Sequence, residues 1–478
     1  MRVRKADGET LRAGVTTIQQ EMGVSPEFPP EVESTAAAAA DEPRLPDLDR
    51  TDIPFVTIDP PGSMDLDQAL HIEREGDGYV VHYAIADVAA FVAPGDAVDE
   101  EAHRRGETLY GADSTVPLHP KVLSEGAASL LPDQERPALL WTIHVDEAGE
   151  GTDVHVERAR VRSRARLDYQ GVQAQVDAGT ADPVIGLLRE VGQKRLAREA
   201  ARGGVSLPLP EQEIVVDGDE WTLEFRRMLP VEEWNAQISL LTGFGAATLM
   251  VYARVGLLRT LPPPDGRDVQ RLHRTAHALG IDWPAEMLYP DFIRSLDPRK
   301  PTHAAMVTAC TRLLRGSGYV AFDGEVPDQP EHAALASEYA HVTAPLRRLG
   351  DRYAGEICLA LCAGTPVPSW VLERLHTIPK TLEESGRRAH QYENAVVGLV
   401  EAAVLRPHVG ETFAGVVVAV DEQTPVQGDL VLQQPAVEAR VTSSVPLPLG
   451  ADVQATLVEA DPSRRTVRFA FHPDSSAS

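Results

Sequence analysis

The sequence predicts an α+β protein, in which a large domain with an antiparallel sheet core surrounded by helices precedes a small closed β-barrel. Three observations carry this expectation. From about residue 54 to 168, apolar and polar side chains alternate and Gly-rich turns separate the runs, the pattern of half-buried strands. Across residues 231–254 and 343–405 the apolar spacing changes to three and four, the period of helices packed on a core. Beyond Pro407 the two-residue alternation returns in five short runs, enough for a small barrel.

Taken in order, residues 1–45 form a helical appendage. "GETLRAGVTTIQQEMG" predicts one short helix and "PPEVESTAAAAADE" a second, with Pro at its start and a strongly helix-forming alanine run. "PRLPDLDRTDIP" is an extended connector into a domain spanning 46–405. "FVTIDP", "ALHIERE" and "GYVVHYAIADVAAFV" read as strands, with a hairpin at Gly76 and Gly78, and a second hairpin crosses Gly149 and Gly151. In the helix predicted over 231–254, Trp234, Ile238, Leu241, Gly245, Leu249 and Tyr252 share one face, and Glu232 and Glu233 sit in the dipole-favoured first turn. A further helix begins at "TAPLRRLGDRYAGEICLALCAG", with Thr343 as N-cap, Pro345 in the first turn, and Leu346, Leu349, Tyr353 and Ile357 facing inward. A long helical region follows to 405, and residues 406–474 supply the barrel.

The net charge of −27 excludes nonspecific coating of a polyanion, which depends on phosphate neutralisation. It leaves room for a narrow groove lined by a few arginines. The opening "MRVRKADGETLR" lacks the apolar core of a signal peptide, and no later run is read as a membrane span. The three cysteines, Cys310, Cys358 and Cys362, have no metal-type spacing. The expectation is a reduced, cytoplasmic protein with no membrane partner.

The stretch that carries chemistry is "TIDPPGSMDLDQAL", with Asp59, Asp65 and Asp67 after a hydrophobic strand and a Pro-Pro-Gly turn. Carboxylates crowded at a strand end repel one another unless a cation neutralises them. All-oxygen ligation favours Mg²⁺, or Mn²⁺, over zinc. The spacing is not that of an EF-hand, and "DLDQA" is not the D-x-D-x-[TV] of a phosphatase with a nucleophilic aspartate. A solvated acidic turn remains the alternative on these residues alone.

The same stretch resembles the signature of the ribonuclease II family, the RNB catalytic domain. Further blocks follow in family order: "YAIADVAAFVAPGDAVDEEAHRRGETLY", "STVPLHPKVLSEGAASLLPDQERPAL", "RARLDYQGVQ", "LPLPEQEI", "MLPVEEW" and "YAHVTAPLRRLGD". Together they cover roughly residues 28–405. The resemblance implies a 3′→5′ exoribonuclease that hydrolyses single-stranded RNA from a free 3′ end to nucleoside 5′-monophosphates, using Mg²⁺ or Mn²⁺, as a monomer. It implies that Asp59, Asp65, Asp67 and Gln68 hold the metal, with Asp65, Asp67 and Arg347 catalytic. It implies RNA contacts from Tyr110, Tyr169, Glu232 or Glu233, Arg347 and Arg348. Read without the family, Arg347 and Arg348 are surface residues of an amphipathic helix, the tyrosines are core, and the two glutamates only favour a helix dipole.

Four positions depart from the family pattern. Gln68 stands where a fourth aspartate is usual, implying weaker metal affinity through an uncharged amide ligand. Ala344 replaces a serine, Leu207 a stacking aromatic and Leu261 a histidine. The stretch before the acids is too short for the family's paired cold-shock barrels, so a short form is expected, with the two helices as a helix-turn-helix-like unit in their place. The C-terminal segment resembles the OB-fold repeat of ribosomal proteins. With eight acids, four arginines and no lysine over 408–472, it is poor material for strong RNA binding. A catalytically weakened RNA-binding protein of the same fold, and a phosphoesterase acting on something other than RNA, are the alternative functions.

Overall fold

Between Phe55 and Asp168 five strands close into a barrel: β1 (Phe55–Asp59), β2 (Gln68–Glu75), β3 (Gly78–Ala86), β4 (Glu135–Val145) and β5 (Gly151–Asp168). Neighbours pair antiparallel in chain order. Five is odd, so the closing pair β1–β5 has to be parallel, and it is. The antiparallel sheet expected from the sequence is therefore curled shut, which removes its open edges. Period-two alternation sorts the strand residues into two buried sets. One holds Val56, Ile58, Leu70, Val81, Tyr83 and Trp141; the other holds Phe55, Ala69, Ala84, Ala138, Leu140 and Val161. This computed structural model describes residues 6–473, so the first five residues of the opening read for a signal peptide, and residue 474 of the expected barrel, lie outside the described residues.

Helices α1 (Gly8–Met22) and α2 (Pro30–Asp41) precede the barrel, and α3 (Ala97–Arg105) lies in the β3–β4 connection. After β5 come α4 (Tyr169–Ala178), α5 (Pro183–Arg202), the hairpin β6 (Glu211–Asp217)–β7 (Glu220–Arg226) and α6 (Pro230–Ala253). Then follow β8 (Val255–Thr260), α7 (Gly266–Ala278), α8 (Tyr289–Ser295), α9 (Pro301–Cys310), β9 (Gly318–Asp323), α10 (Leu349–Ala363), α11 (Ser369–Leu375) and α12 (Ile378–Leu405). The chain ends in a second closed barrel, β10 (Thr412–Val420), β11 (Gln427–Gln433), β12 (Ala436–Ser443), β13 (Asp452–Asp461) and β14 (Thr466–Phe471), in the order β10-β11-β12-β14-β13. This is the five-stranded barrel the alternation predicts.

Helices α6 and α10 share the main core with the first barrel: Trp234, Ile238, Leu241 and Met250 of α6 and Leu349, Tyr353 and Ile357 of α10 pack with Tyr83, Leu139 and Trp141. At α10 the buried ion pair Arg352–Asp99, at 2.6 Å, anchors the helix to α3. Long and apolar enough to cross a membrane by composition, α6 departs from the expectation that no later run approaches a span. Its apolar face is a core face, because Trp234, Ile238, Ala246, Ala247 and Met250 are all buried.

Several expectations are corrected. The buried stripe of α6 drifts onto Ala246, Ala247 and Met250, leaving Tyr252 at 92% exposure, because the last turn overhangs the core before Arg254 bends the chain into β8. Helix α10 begins at Leu349 rather than beside Thr343, since Asp67 and Asp351 take the amides of Leu346 and Ala344 and hold residues 344–348 in a turn. The N-terminal helices do not form a helix-turn-helix-like unit, because each buries its apolar face elsewhere. Leu11, Val15 and Ile18 of α1 pack with Tyr392, Val396 and Leu399 of α12, whereas Val32 and Ala36 of α2 pack with Val88, Phe91 and Leu123.

Helix α12 also meets the second barrel and the β6–β7 hairpin, where Glu401 is buried. Its carboxylate accepts from Gln212 Nε2 at 2.7 Å and from the Glu438 amide at 3.2 Å. Burial outweighs these bonds and pushes the carboxyl up to about 7. A raised carboxyl binds its proton more tightly folded than unfolded, so folding is favoured at low pH and loses stability as pH climbs from the ordinary carboxylate range through about 7. The Glu401→Gln variant should therefore show a flatter melting temperature from about pH 5 to about pH 8, with the gain at the alkaline end. Thermal melts across that range measure it; an unchanged slope would sink the argument.

Candidate active site

The parallel register of β1 and β5 sets Asp59 opposite Asp168, the last residue of β5. Asp168 is occupied as the N-cap of α4, accepting from the Gly171 amide at 2.7 Å. The next residue, Tyr169, opens α4 beside Asp59, close enough for the aspartate's charge to act on its phenol. Thus Tyr169 reaches the acids because two strands end together.

The loop from Pro60 to Asp67 is tied down by Ser129. Its hydroxyl accepts from the Leu66 amide at 2.9 Å and donates to the Met64 carbonyl at 2.6 Å. Gly62, with φ of +87°, supplies the left-handed turn residue. At the loop's end Asp67 is 5% exposed, and its Oδ1 accepts from the Leu346 amide at 2.8 Å. Its other oxygen, Oδ2, lies 3.6 Å from Arg347 Nε.

The 344–348 turn also separates its two arginines. Arg348 Nε and Nη2 fork onto Asp351 at 2.9 and 2.8 Å, and that carboxylate accepts the Ala344 amide too. Arg347 keeps 43% of its side chain exposed beside Asp67. The Thr108 amide donates to the Arg347 carbonyl at 3.0 Å, so the strand running to Tyr110 is stitched to this turn. Tyr110, 38% exposed, consequently lies within electrostatic reach of Arg347, Asp65 and Asp67.

The three aspartates share one electrostatic environment. Burial, then the charge of Asp65, pushes the Asp59 carboxyl up to about 7, and burial raises Asp65 and Asp67 as well. Arg347 pulls all three the other way. Among the described residues no three Asp, Glu, His or Cys side chains converge as a preformed metal cage. The donors do fit a hard cation of another kind. Mg²⁺ keeps waters and is held by one or two carboxylates together with a substrate phosphate, and Asp59 Oδ2 is a buried carboxyl oxygen with no hydrogen-bond partner.

Gln68 corrects the sequence reading. Its Oε1 accepts from the Tyr83 hydroxyl at 2.6 Å and, more weakly, from Ser239 Oγ at 3.4 Å, while Nε2 donates to the Thr343 carbonyl at 2.7 Å. Both ends of the amide are occupied, so Gln68 on β2 braces β3, α6 and Thr343, the residue before the 344–348 turn, rather than standing open as a ligand. Three further expected contacts are engaged elsewhere. Glu232 caps its own helix through the Leu229 amide at 2.6 Å and accepts two bonds from Arg226. Glu233 faces a separate recess with Glu199 and Arg227. Arg348 is held by Asp351. Leu207 lines the same recess as Glu233, and Leu261 is buried. Asn235 was not singled out in the sequence, yet its amide donates to the Tyr169 hydroxyl at 3.1 Å. Tyr83 and Ser239 were missed too; only their distant partners give them meaning.

This constellation, an acid loop at the mouth of a closed barrel crossed by an arginine-bearing turn, belongs to a class that the sequence comparisons define. Residues 48–361 match the RNB domain, and residues 411–472 match the RNase II-type exonuclease C-terminal S1 domain. The chain belongs to the RNB-domain family. It is 28% identical over 395 residues to the probable exosome complex exonuclease RRP44 of Caenorhabditis elegans, which covers 79% of this chain and 41% of that one. It is 26% identical over 427 residues to ribonuclease R of Vibrio cholerae, covering 82% and 51%. The chain thus spans about half the length of these relatives. The apo form of Mycoplasma genitalium RNase R superposes with a TM-score of 0.85 at 20% identity, over 97% of this chain and 78% of that one, which establishes the shared fold.

The brace predicts the outcome of restoring acidity at Gln68. In Gln68→Glu the donor to Thr343 is lost and a carboxylate faces a carbonyl, which should cost about 1–3 kcal/mol of stability. Urea denaturation compares the variant with the parent chain; equal midpoints would show that the amide bridge carries no weight.

Proposed function

We propose that this chain is a 3′→5′ exoribonuclease that hydrolyses single-stranded RNA from a free 3′ end to nucleoside 5′-monophosphates with a divalent cation, Mg²⁺ or Mn²⁺. The observation that carries the reading is Arg347, half-exposed beside the buried Asp67 and within electrostatic reach of Asp59, Asp65 and Tyr110. A guanidinium that leans on carboxylates and still faces solvent is suited to receive a phosphate.

In this reading the terminal bases stack on Tyr110, while Tyr169, oriented by Asn235, borders the terminal sugar. Stacking of this kind contributes about 1–3 kcal/mol per base and tolerates any sequence. Arg347 forks onto the nonbridging oxygens of the scissile phosphate and stabilises the charge that grows there. Asp67 orients Arg347 from a position fixed by the Leu346 amide, and its Oδ2 accepts a hydrogen bond from the attacking water. The water oxygen bonds to phosphorus as the P–O3′ bond breaks, leaving a 5′-monophosphate and a shortened chain with a 3′-hydroxyl. Asp59 and Asp65 would hold the divalent cation, which when bound neutralises the phosphate and lowers the pKa of a bound water.

The occupied amide of Gln68 favours a second reading, an RNA-binding protein of the same fold with weakened catalysis. One experiment separates the two. A 5′-labelled oligoribonucleotide is incubated with the protein and Mg²⁺ or EDTA. We expect a metal-dependent ladder and release of 5′-monophosphates, with the rate lowered on the order of 10²–10³-fold in Asp67→Asn and Arg347→Ala. Asp67→Asn should still retain RNA in a filter-binding assay. Intact RNA with the parent chain, at any concentration of either cation, would overturn the exonuclease reading and leave the binding one.

A further inference from the structure

A recess of about 480 Å³ opens between the β4–β5 hairpin, α5 and α6, lined by Arg195, Arg198 and Arg202, by Phe244, and by Glu150 and Asp153 of the hairpin. The three arginines recur at intervals of three and four and so share one face of α5. Arg198 is neutralised by Glu150, with contacts of 2.6 and 2.8 Å. The other two are not fully served. Arg195, with 1% of its side chain exposed, gives Nη1 to the Gly149 carbonyl at 2.9 Å and reaches Glu150 only at 3.5 Å, and its Nε has no partner. Arg202 gives Nε to the Leu335 carbonyl at 2.8 Å, its Nη2 is buried without a partner, and among the described residues no carboxylate lies within salt-bridge distance of it. Both guanidinium groups stand over the Phe244 ring, at 5.6 and 4.8 Å from its centroid.

An unpaired buried guanidinium donor costs free energy, and two neighbouring cations sharing one carboxylate add repulsion. Burial lowers the affinity of both groups for their protons; Glu150, and for Arg202 also Glu199, oppose it, while the neighbouring arginines add to it. An anion with several acceptor oxygens would relieve both costs, and guanidinium forks match phosphate geometry. We propose that this recess binds a phosphate-class anion carried by a small phosphomonoester. Its volume suits a compact ligand, and Thr152, Thr248 and Ser337 add hydroxyls to its wall. The recess is separate from the acid cluster. Asn235, which touches Tyr169, precedes Phe244 by nine residues of α6, roughly 14 Å along the helix. The hairpin tip is also the end of the 18-residue β5 opposite Asp168.

The test uses the full chain. Thermal melts and calorimetric titration follow inorganic phosphate, and then adenosine 5′-monophosphate, against chloride at matched ionic strength. Both probes are expected to bind and raise the melting temperature. Arg202→Gln should weaken that binding at least about tenfold, as for loss of one charge-assisted fork, while RNA hydrolysis and its Mg²⁺ dependence stay unchanged. Arg198→Gln, altering a side chain 43% exposed, is the second variant should the first fail to fold, and it too should weaken binding. Arg347→Ala should leave the phosphate effect intact, which keeps this site apart from the reaction centre. Equal responses in the parent chain and the α5 variants, or loss of the response in Arg347→Ala alone, would overturn the proposal. Displacement of phosphate by an oligoribonucleotide lacking terminal phosphates, but not by the monophosphate, would overturn the phosphomonoester assignment.

Discussion

Between two parts of the chain separated by 279 positions, the Leu346 amide donates to the buried carboxylate of Asp67. A carboxylate at 5% exposure is costly unless it is paired, and here one oxygen takes a backbone N–H and the other faces Arg347. The bond therefore satisfies the acid and fixes the turn in the same step. From the other side Asp351 accepts the Ala344 amide and holds Arg348. With a carboxylate at each end, the turn commits Arg348 to Asp351 and leaves Arg347 half-exposed beside Asp67. The start of α10, the course of the 106–110 segment and the place of Tyr110 all follow from that turn, through backbone bonds from Thr108 and Leu349.

Much of this was legible in the chain. Period-two alternation located the strands of both barrels, because that period reports burial on alternate faces whatever the partner strand is. The acid run was likewise visible as chemistry in a small window, whereas "TAPLRR" read as the start of a helix and is a turn. Closure of the first barrel was not, since it depends on Phe55–Asp59 meeting the end of β5 more than a hundred residues later. Gln68 shows the limit most plainly. Its residue type permits a metal ligand, and only Tyr83, Ser239 and Thr343, brought from three other segments, make it a brace. Thr343 as N-cap failed for a related reason: local capping rules compete with carboxylates that the fold delivers from elsewhere. Glu232 went the other way, its first-turn position being the whole explanation of its partner at Leu229.

The second barrel clarifies how the molecule divides its labour. Phe413 and Phe469 are buried, one edge-on to the other, so they supply core rather than a face for bases. Its acidic surface adds little attraction for a polyanion. What the barrel does supply is apolar area: Val417, Leu430, Val441 and Leu457 form one cluster with α1 and α12. It braces the long helix whose side chain Tyr392 accepts from Gln19 at 3.0 Å and ties the N-terminal helix to the body.

The distribution of arginine then separates two kinds of site within one acidic chain. Around the aspartates, one guanidinium, that of Arg347, faces three carboxyl groups that burial pushes upward and its charge pulls back. On α5 the ratio is reversed: arginines outnumber the carboxylates that pair with them, Arg195 is buried, and an N–H of Arg195 and one of Arg202 have no acceptor. Buried charge is tolerated only when something neutralises it. The physical requirement that sets Arg347 against the acid loop leaves the α5 recess suited to an anion.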